Sequence, residues 1–287
     1  MSVLEVRNLT HVYHDNPSFT DHAVNGVSFC AERGEIIGII GHTGSGKSTL
    51  VQHFNGLLKP TSGEVLVNGE NIWNDPKAIR KYRAKVGLVF QYPEYQLFEE
   101  TVYKDIAFGP KNMELSDEEV RERVKETCNL IRIREEYLEK SPFDLSGGEK
   151  RRVAIAGVLA MKPEIIVFDE PTAGLDPAGR QTVMEIIKNY RDLQNATVII
   201  ISHSMEDMAV MADKLLVMEK GKAVMFDTVE KVFANAGKLR EIGLNVPLVA
   251  RVFEKLKESG VAVPDNIFTL TGAVEALTAL KRGDAYA

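Results

Sequence analysis

Only two cysteines, Cys30 and Cys128, occur in 287 residues. They are too few and too far apart for a disulfide framework or a zinc site, which fits a reducing compartment, and both read as buried small hydrophobes. Long apolar runs are missing as well: residues 165–168 and 197–201 fall far short of the roughly 20 that a membrane-spanning helix needs. Residues 1–8 lack a basic start followed by an apolar stretch, so no secretory signal is expected, and the chain is expected to be soluble. A cationic surplus is absent too. Lys and Arg number 35 against 41 Asp and Glu, a net charge of −6. That balance argues against broad nucleic-acid binding, which neutralises phosphates with surplus Lys and Arg, although a local basic patch stays compatible with it. No repeat or low-complexity segment occurs. The length accommodates one large domain, or one domain with an appendage.

What is present reads as alternating strands and helices. Strands are expected at 2–12, 23–30, 36–40, 64–69 (closing in a tight turn), 86–91, 165–168, 197–201 and 214–218. The unbroken apolar run before Gly41 fits a strand buried on both faces of a parallel sheet. Helices are expected at 47–55, 116–131, 149–161, 179–193, 247–258 and 272–281. Ser116 with Glu119 three residues on forms a capping box. Strand, helix and strand over 165–201 imply a right-handed parallel crossover. In the helix at 247–258, Leu248, Val249, Val252, Phe253 and Leu256 fall on one face, and the segment beyond 228 reads as a helical appendage.

Gly41-His42-Thr43-Gly44-Ser45-Gly46-Lys47-Ser48 matches G-x-x-x-x-G-K-[ST] at every fixed position. Chance would produce such a match in roughly one chain of this length in a hundred. The motif follows a buried strand and opens a helix, which aims backbone N–H groups and the positive helix end at the phosphates of a nucleotide. Lys47 is expected to reach the β and γ phosphates, Ser48 to offer its hydroxyl to Mg²⁺, and Thr49 to join the ATP-binding set.

A second chemical signal is Asp169-Glu170, which ends the buried strand at 165–168. Ligands collect at the carboxyl ends of strands in open parallel sheets. Neighbouring strand residues face opposite ways, so the two acids take different tasks: Asp169 holds Mg²⁺, and Glu170 is the general base for an attacking water. Two acids after a strand also suit a solvated turn, and the phosphate loop upstream favours the chemical reading. Leu145-Ser146-Gly147-Gly148-Glu149 admits two readings, an ordinary helix cap or a second anion site made of Ser146, the Gly147 and Gly148 amides and the helix end. Because the chain already holds one phosphate loop, such a second site would serve another subunit's ATP. His203, after the strand at 197–201, is either structural or a γ-phosphate contact. Gln91 is either a polar strand end or an Mg²⁺ ligand that orients water.

The phosphate loop, Gln91, Leu-Ser-Gly-Gly-Glu, Asp169-Glu170, Ala173-Gly174-Leu175-Asp176 and His203 occur in this order. Together they resemble the ATP-binding cassette (ABC) ATPase over residues 2–228. The resemblance implies an α/β phosphate-loop nucleotide triphosphatase fold with a mixed sheet core, an antiparallel β subdomain and a helical subdomain at about 92–162. It also implies that two cassettes pair head to tail around two ATP molecules, that Tyr13 stacks on adenine, and that Asp176 couples the two sites. The alternative for Tyr13 is a half-buried strand aromatic. The stretch from Gln91 through Tyr92-Pro93-Glu94-Tyr95-Gln96-Leu97-Phe98 to Gly109-Pro110, with the segment 151–160, is similar to ATPases of energy-coupling factor (ECF) transporters, in particular to the second type of a heteromeric pair.

That finer resemblance implies an ATPase for uptake of vitamins, other micronutrients or transition metals, peripheral to the cytoplasmic face of the cell membrane. The implied partners are a second ATPase subunit, a transmembrane coupling protein and a substrate-binding membrane subunit. It also implies that residues 229–287 help the two ATPases stay together. Leu97 and Phe98 form an apolar cluster that suits either a groove for a partner helix or packing inside the chain. Other readings are an ATPase of a different ABC importer type, or a soluble ABC ATPase of repair or translation. A single phosphate loop without a long heptad insertion, and a short helical tail in place of a large β domain, weigh against these. Glu149-Lys150 stands where many ABC proteins have Gln, outside the Ser and Gly contacts.

Overall fold

In a computed structural model, which describes residues 2–13 and 21–282, the termini Met1 and 283–287 lie outside the described residues. Strand β1 (Ser2–Tyr13) pairs antiparallel with β2 (Asp21–Glu32), setting Leu4 opposite Ala31 and Val6 opposite Phe29. Strand β3 (Ile36–Ile40) has every residue buried, as expected for the run before Gly41. Helix α1 (Lys47–Gln52) is shorter than the expected 47–55. It stops because Gly56 turns the chain at φ 70° and the Leu57 and Leu58 amides both return to the Gln52 carbonyl. Strands β4 (Ser62–Val67) and β5 (Glu70–Asn71) complete a four-stranded antiparallel sheet in the order β2-β1-β4-β5.

Helix α2 (Ile79–Lys85) leads into β6 (Val86–Val89), which ends two residues before Gln91. An all-helical stretch follows: α3 (Val102–Asn112), α4 (Asp117–Ile131) and α5 (Gly147–Leu159). The Ser116–Glu119 capping box forms as read. Then come β7 (Ile165–Asp169), α6 (Pro177–Gln194), β8 (Thr197–Ile201), α7 (Met205–Met211), β9 (Lys214–Glu219) and β10 (Lys222–Thr228). The second sheet has the order β10-β9-β3-β8-β7-β6; β10 alone runs antiparallel to its neighbour, so the sheet is mixed. Helices α8 (Val229–Ala234), α9 (Ala236–Glu241), α10 (Leu248–Glu258) and α11 (Leu270–Arg282) follow.

Period-2 alternation along the six-stranded sheet feeds two cores. Ile36, Ile40, Ile166, Phe168, Val198 and Ile200 face the helices. Ile37, Ile39, Ile165, Val167, Ile199 and Ile201 face the antiparallel sheet. Val229, Val232, Phe233 and Leu239 of α8 and α9 join the helix-side core, whereas Phe253, Ala273 and Ala276 make a small cluster of their own. On α10 the expected apolar face is divided: Phe253 is buried, but Leu248 and Val252 are exposed. Cys128 is buried, which pushes its thiol up to about 11, while Cys30 is exposed. The expectation of two buried cysteines is therefore corrected for Cys30, which falls on the outward-alternating positions of β2 between buried Phe29 and Ala31.

Candidate functional site

Adjacent parallel strands bring the sequence signals to one edge. The carboxyl end of β3 delivers the phosphate loop, β8 delivers His203, β7 delivers Asp169 and Glu170, and the chain after β6 delivers Gln91. The register sets Asp169 opposite Ile201, and Ile39 opposite the same Ile201. A cleft of about 450 Å³ is lined by Thr43, Gly44, Gly46, Lys47, Ser48 and Thr49 together with Gln91, Asp169, Glu170 and His203. Ala173, which opens the Ala173-Gly174-Leu175-Asp176 motif, and Ile201, which no motif marks, complete its wall.

The loop's glycines are demanded by its path. Gly46 caps α1 at φ 96°, and a Cβ there would stand 2.0 Å from the Ala23 carbonyl oxygen; at Gly41 it would stand 2.3 Å from that of Met218. The buried Lys47 ammonium donates to the carbonyl oxygens of Gly41 (2.7 Å) and His42 (2.8 Å). Burial pulls its pKa down, while the charges of Glu170 and Asp169 hold it up. Ser45 is buried, and its hydroxyl has no hydrogen-bond partner. His42 points away from the cleft, its Nε2 2.8 Å from the carbonyl oxygen of Ile242 at the end of α9.

The two acids line the same cleft from different backbone settings. Asp169 ends β7 buried; burial raises its pKa, against the lowering effect of the Ser48 hydroxyl and Lys47. Glu170 turns out of the strand at φ 52°, its amide donating to the Ile201 carbonyl at 3.0 Å. Burial pushes its carboxyl up to about 7, aided by Asp169 and Asp207 and opposed by the His203 backbone amide and Lys47. His203 Nε2 lies 3.2 Å from Glu170 Oε1, but not in hydrogen-bonding geometry, so Oε1 is a buried acceptor without a hydrogen-bond partner. A carboxylate with a raised pKa and an open acceptor is equipped to take a proton from water.

The donors suit ATP and Mg²⁺. Backbone amides, the α1 terminus and Lys47 fit a polyphosphate. The Ser48 hydroxyl, Gln91 amide and Asp169 carboxylate are hard oxygen donors of the kind Mg²⁺ takes alongside phosphate oxygens. Among the described residues no three His, Cys, Asp or Glu side chains gather into a metal site of their own, so phosphate would have to complete such a shell.

Other expected site residues stand outside this cleft. Ser146 caps α5 in a full capping box, its hydroxyl 2.6 Å from Glu149 Oε2, so the cap reading holds in this chain; Gly147 and Gly148 are exposed. Asp176 caps α6 and accepts from the Gly179 amide at 2.8 Å. Tyr13 stands partly exposed at the end of β1, its hydroxyl 3.4 Å from Thr49 Oγ1. Sequence reading missed Asp207, which Arg180 grips with two nitrogens (2.9 and 2.6 Å) beneath Glu170. It also missed the pair Arg151 and Glu94. Arg180 and Asp207 lie outside the quoted motifs, Glu94 and Arg151 lie in two separate quoted segments that nothing in the sequence pairs, and each contact joins elements distant in sequence.

A sequence profile of the ABC transporter family matches residues 24–173. The energy-coupling factor transporter ATP-binding protein EcfA2 of Caldanaerobacter subterraneus subsp. tengcongensis is 48% identical over 280 residues, covering 98% of each chain. A solved structure of CbiO1 from Clostridium perfringens, described as part of the ABC transporter complex CbiONQ, matches with TM-score 0.75 and 38% identity over 88% of this chain and 99% of that one. The dimeric post-hydrolysis structure of the cassette MJ0796 bound to ADP and Pi matches with TM-score 0.70 and 28% identity, over 79% and 98% of the two chains.

Proposed function

From the premise that the chain belongs to the ABC transporter family, as an ATP-binding subunit of the energy-coupling factor type, we propose how its residues bind and cleave ATP. The protein is an ATP-hydrolysing transport ATPase. One observation carries the residue assignment: the phosphate loop, Asp169, Glu170, His203 and Gln91 share one cleft at the carboxyl edge of a parallel sheet.

The amides of residues 41–46 and the Lys47 ammonium bind the phosphates. Lys47 exchanges its two loop carbonyls for phosphate oxygens, which offer a stronger, charge-assisted acceptor. Ser48, Gln91 and Asp169 would hold Mg²⁺, which would supply charge neutralisation for the phosphates when bound. Glu170 takes the proton of the attacking water at its open Oε1, and His203 beside it contacts the γ phosphate. Tyr13 stacks on the base.

Ser146, Gly147 and Gly148 lie exposed at the start of α5 and outside the cleft, which supports their use on the ATP of a second ATPase subunit. ATP that touches both subunits has differential affinity for the closed pair, and its cleavage removes that preference. Asp176, exposed at the start of α6, is assigned to the same interface.

The membrane partners fit a second surface. A groove of about 330 Å³ lies between α2, α3 and α5, lined by Leu97, Phe98, Phe108 and Met161 with Arg80 and Asp105 at its polar positions. Phe98 and Phe108 are exposed and meet edge to face at 5.0 Å. We assign it to a helix of the transmembrane coupling protein. No described helix is long and apolar enough to cross a membrane. In this reading the chain sits peripherally on the cytoplasmic face, and a further membrane subunit captures the cargo, a vitamin, another micronutrient or a transition metal ion. The cassette comprises residues 1–228, with its helical subdomain at about 92–162, and the extension 229–287 helps hold the two ATPases together. Purification from native membranes tests the assignment: a co-purifying transmembrane protein, lost with a Phe98→Asp variant that still binds ATP, is the expected result. Recovery with ribosomes or DNA ends and no membrane protein would contradict it.

A further inference from the structure

Beside the phosphate loop, four side chains from β1 and the α1 segment close a ring. His53, just past the end of α1, is fully buried and sets Nδ1 2.8 Å from the Thr49 carbonyl oxygen. A carbonyl only accepts, so Nδ1 carries the proton, and neutral His53 offers Nε2 as an acceptor. Burial keeps His53 neutral, with its pKa down at about 4. His11 Nδ1 lies 3.1 Å from that Nε2 and is therefore the donor. One backbone carbonyl thus settles the protonated nitrogen on both rings.

His11 and Tyr13 stand two residues apart on β1 and so share a face. The His11 ring meets the Tyr13 ring edge to face, with centroids 4.6 Å apart, and the His53 ring at 4.8 Å. Tyr13 Oη then returns to Thr49 Oγ1 at 3.4 Å, and Thr49 lines the cleft. Tyr13 is 42% exposed, and among the described residues these contacts at its edge and hydroxyl orient it. A ring oriented before the ligand arrives gives up less rotamer freedom when a base stacks on it.

We propose that His11 is a positioning residue for the nucleotide base, holding Tyr13 in stacking orientation and, through His53, tying it to the helix that binds the phosphates. The proposal rests on the reading of Tyr13 as the base platform. It makes base recognition, and not phosphate recognition, the property that His11 controls.

The test uses the full chain and compares dissociation constants for MgATP and for magnesium tripolyphosphate, which has the phosphates without a base. His11→Ala is expected to weaken MgATP about tenfold and to leave tripolyphosphate within about twofold. His11→Phe, which keeps an aromatic edge but loses the donor to His53, falls in between and serves as the variant with least disturbance to folding. His11→Ala combined with Tyr13→Ala binds no more weakly than Tyr13→Ala alone, because both act through one ring. Equal weakening of both ligands by His11→Ala, or full MgATP affinity in that variant beside a loss in Tyr13→Ala, overturns the proposal and leaves Tyr13 as the platform. Unchanged MgATP affinity in Tyr13→Ala overturns the platform reading and, with it, the proposal.

Discussion

Arg151 and Glu94 form a two-point ion pair, Nε to Oε2 at 2.9 Å and Nη2 to Oε1 at 2.8 Å, with the arginine side chain only 4% exposed. Arg151 also donates to the Ala173 carbonyl at 2.7 Å, and its guanidinium lies 5.6 Å from the Tyr92 ring centre. One side chain on α5 therefore joins the segment after Gln91 to the loop after Glu170. The helix that follows Ser146 is thus fastened to the chain that borders the Phe98 groove, the surface proposed for the membrane partner.

Removing one member of a buried pair leaves the other charge uncompensated. Glu94→Ala is expected to lower unfolding free energy by about 3 kcal/mol in urea melts. The same variant is expected to lower ATP turnover stimulated by the membrane complex more than turnover of the free ATPase pair. Equal effects on both would limit the pair to holding the fold.

The Glu170 carboxyl, pushed up to about 7 from an ordinary 4.5, carries a pH signature. Between those values the native state keeps a proton that the unfolded chain has released, so the native state binds more protons and stability falls as pH rises. The loss is complete above the folded-state value. Glu170→Gln removes this slope. In urea melts without nucleotide, the variant is expected to gain about 1–3 kcal/mol over the parent between pH 4.5 and pH 8. A constant difference across that range would place the carboxyl at its ordinary value.

Ser146 separates two roles in one experiment. Its hydroxyl completes the cap of α5, so Ser146→Ala is expected to cost about 1 kcal/mol in the isolated chain. ATP affinity of the single chain is expected to stay within about twofold, since Ser146 lies outside the cleft. Hydrolysis by the pair, by contrast, is expected to fall at least about tenfold if, as proposed, the hydroxyl serves the partner's nucleotide. Normal hydrolysis with the stability cost intact would reduce Ser146 to a cap.

Legibility in the sequence followed locality. The phosphate loop spans eight consecutive residues whose glycine spacing states its own backbone path, and the capping box at Ser116 and the cap at Ser146 lie within one turn; all are readable in order. The buried strands at 36–40, 165–168 and 197–201 announce themselves as apolar runs. Helix α3 was hidden because Gly109 and Pro110, ordinary helix breakers, lie inside its last turn. Helix α2 was hidden by four cations in seven residues, which leave little apolar stripe. Contacts between distant residues left no mark at all: His42 meets Ile242, and His11 meets His53, through folding alone. Cys30 was misread because composition favours burial of cysteine and cannot say which face of a strand turns outward.

In the proposed function, Glu170 activates the water that cleaves ATP, and cleavage releases the closed pair. The direct measurement is single-turnover hydrolysis and sedimentation of the paired ATPases carrying Glu170→Gln, with MgATP. Hydrolysis is expected to slow by about 10² to 10⁴, with a pair that stays associated with uncleaved ATP. Hydrolysis near the parent rate, with the pair dissociating as the parent does, would contradict it.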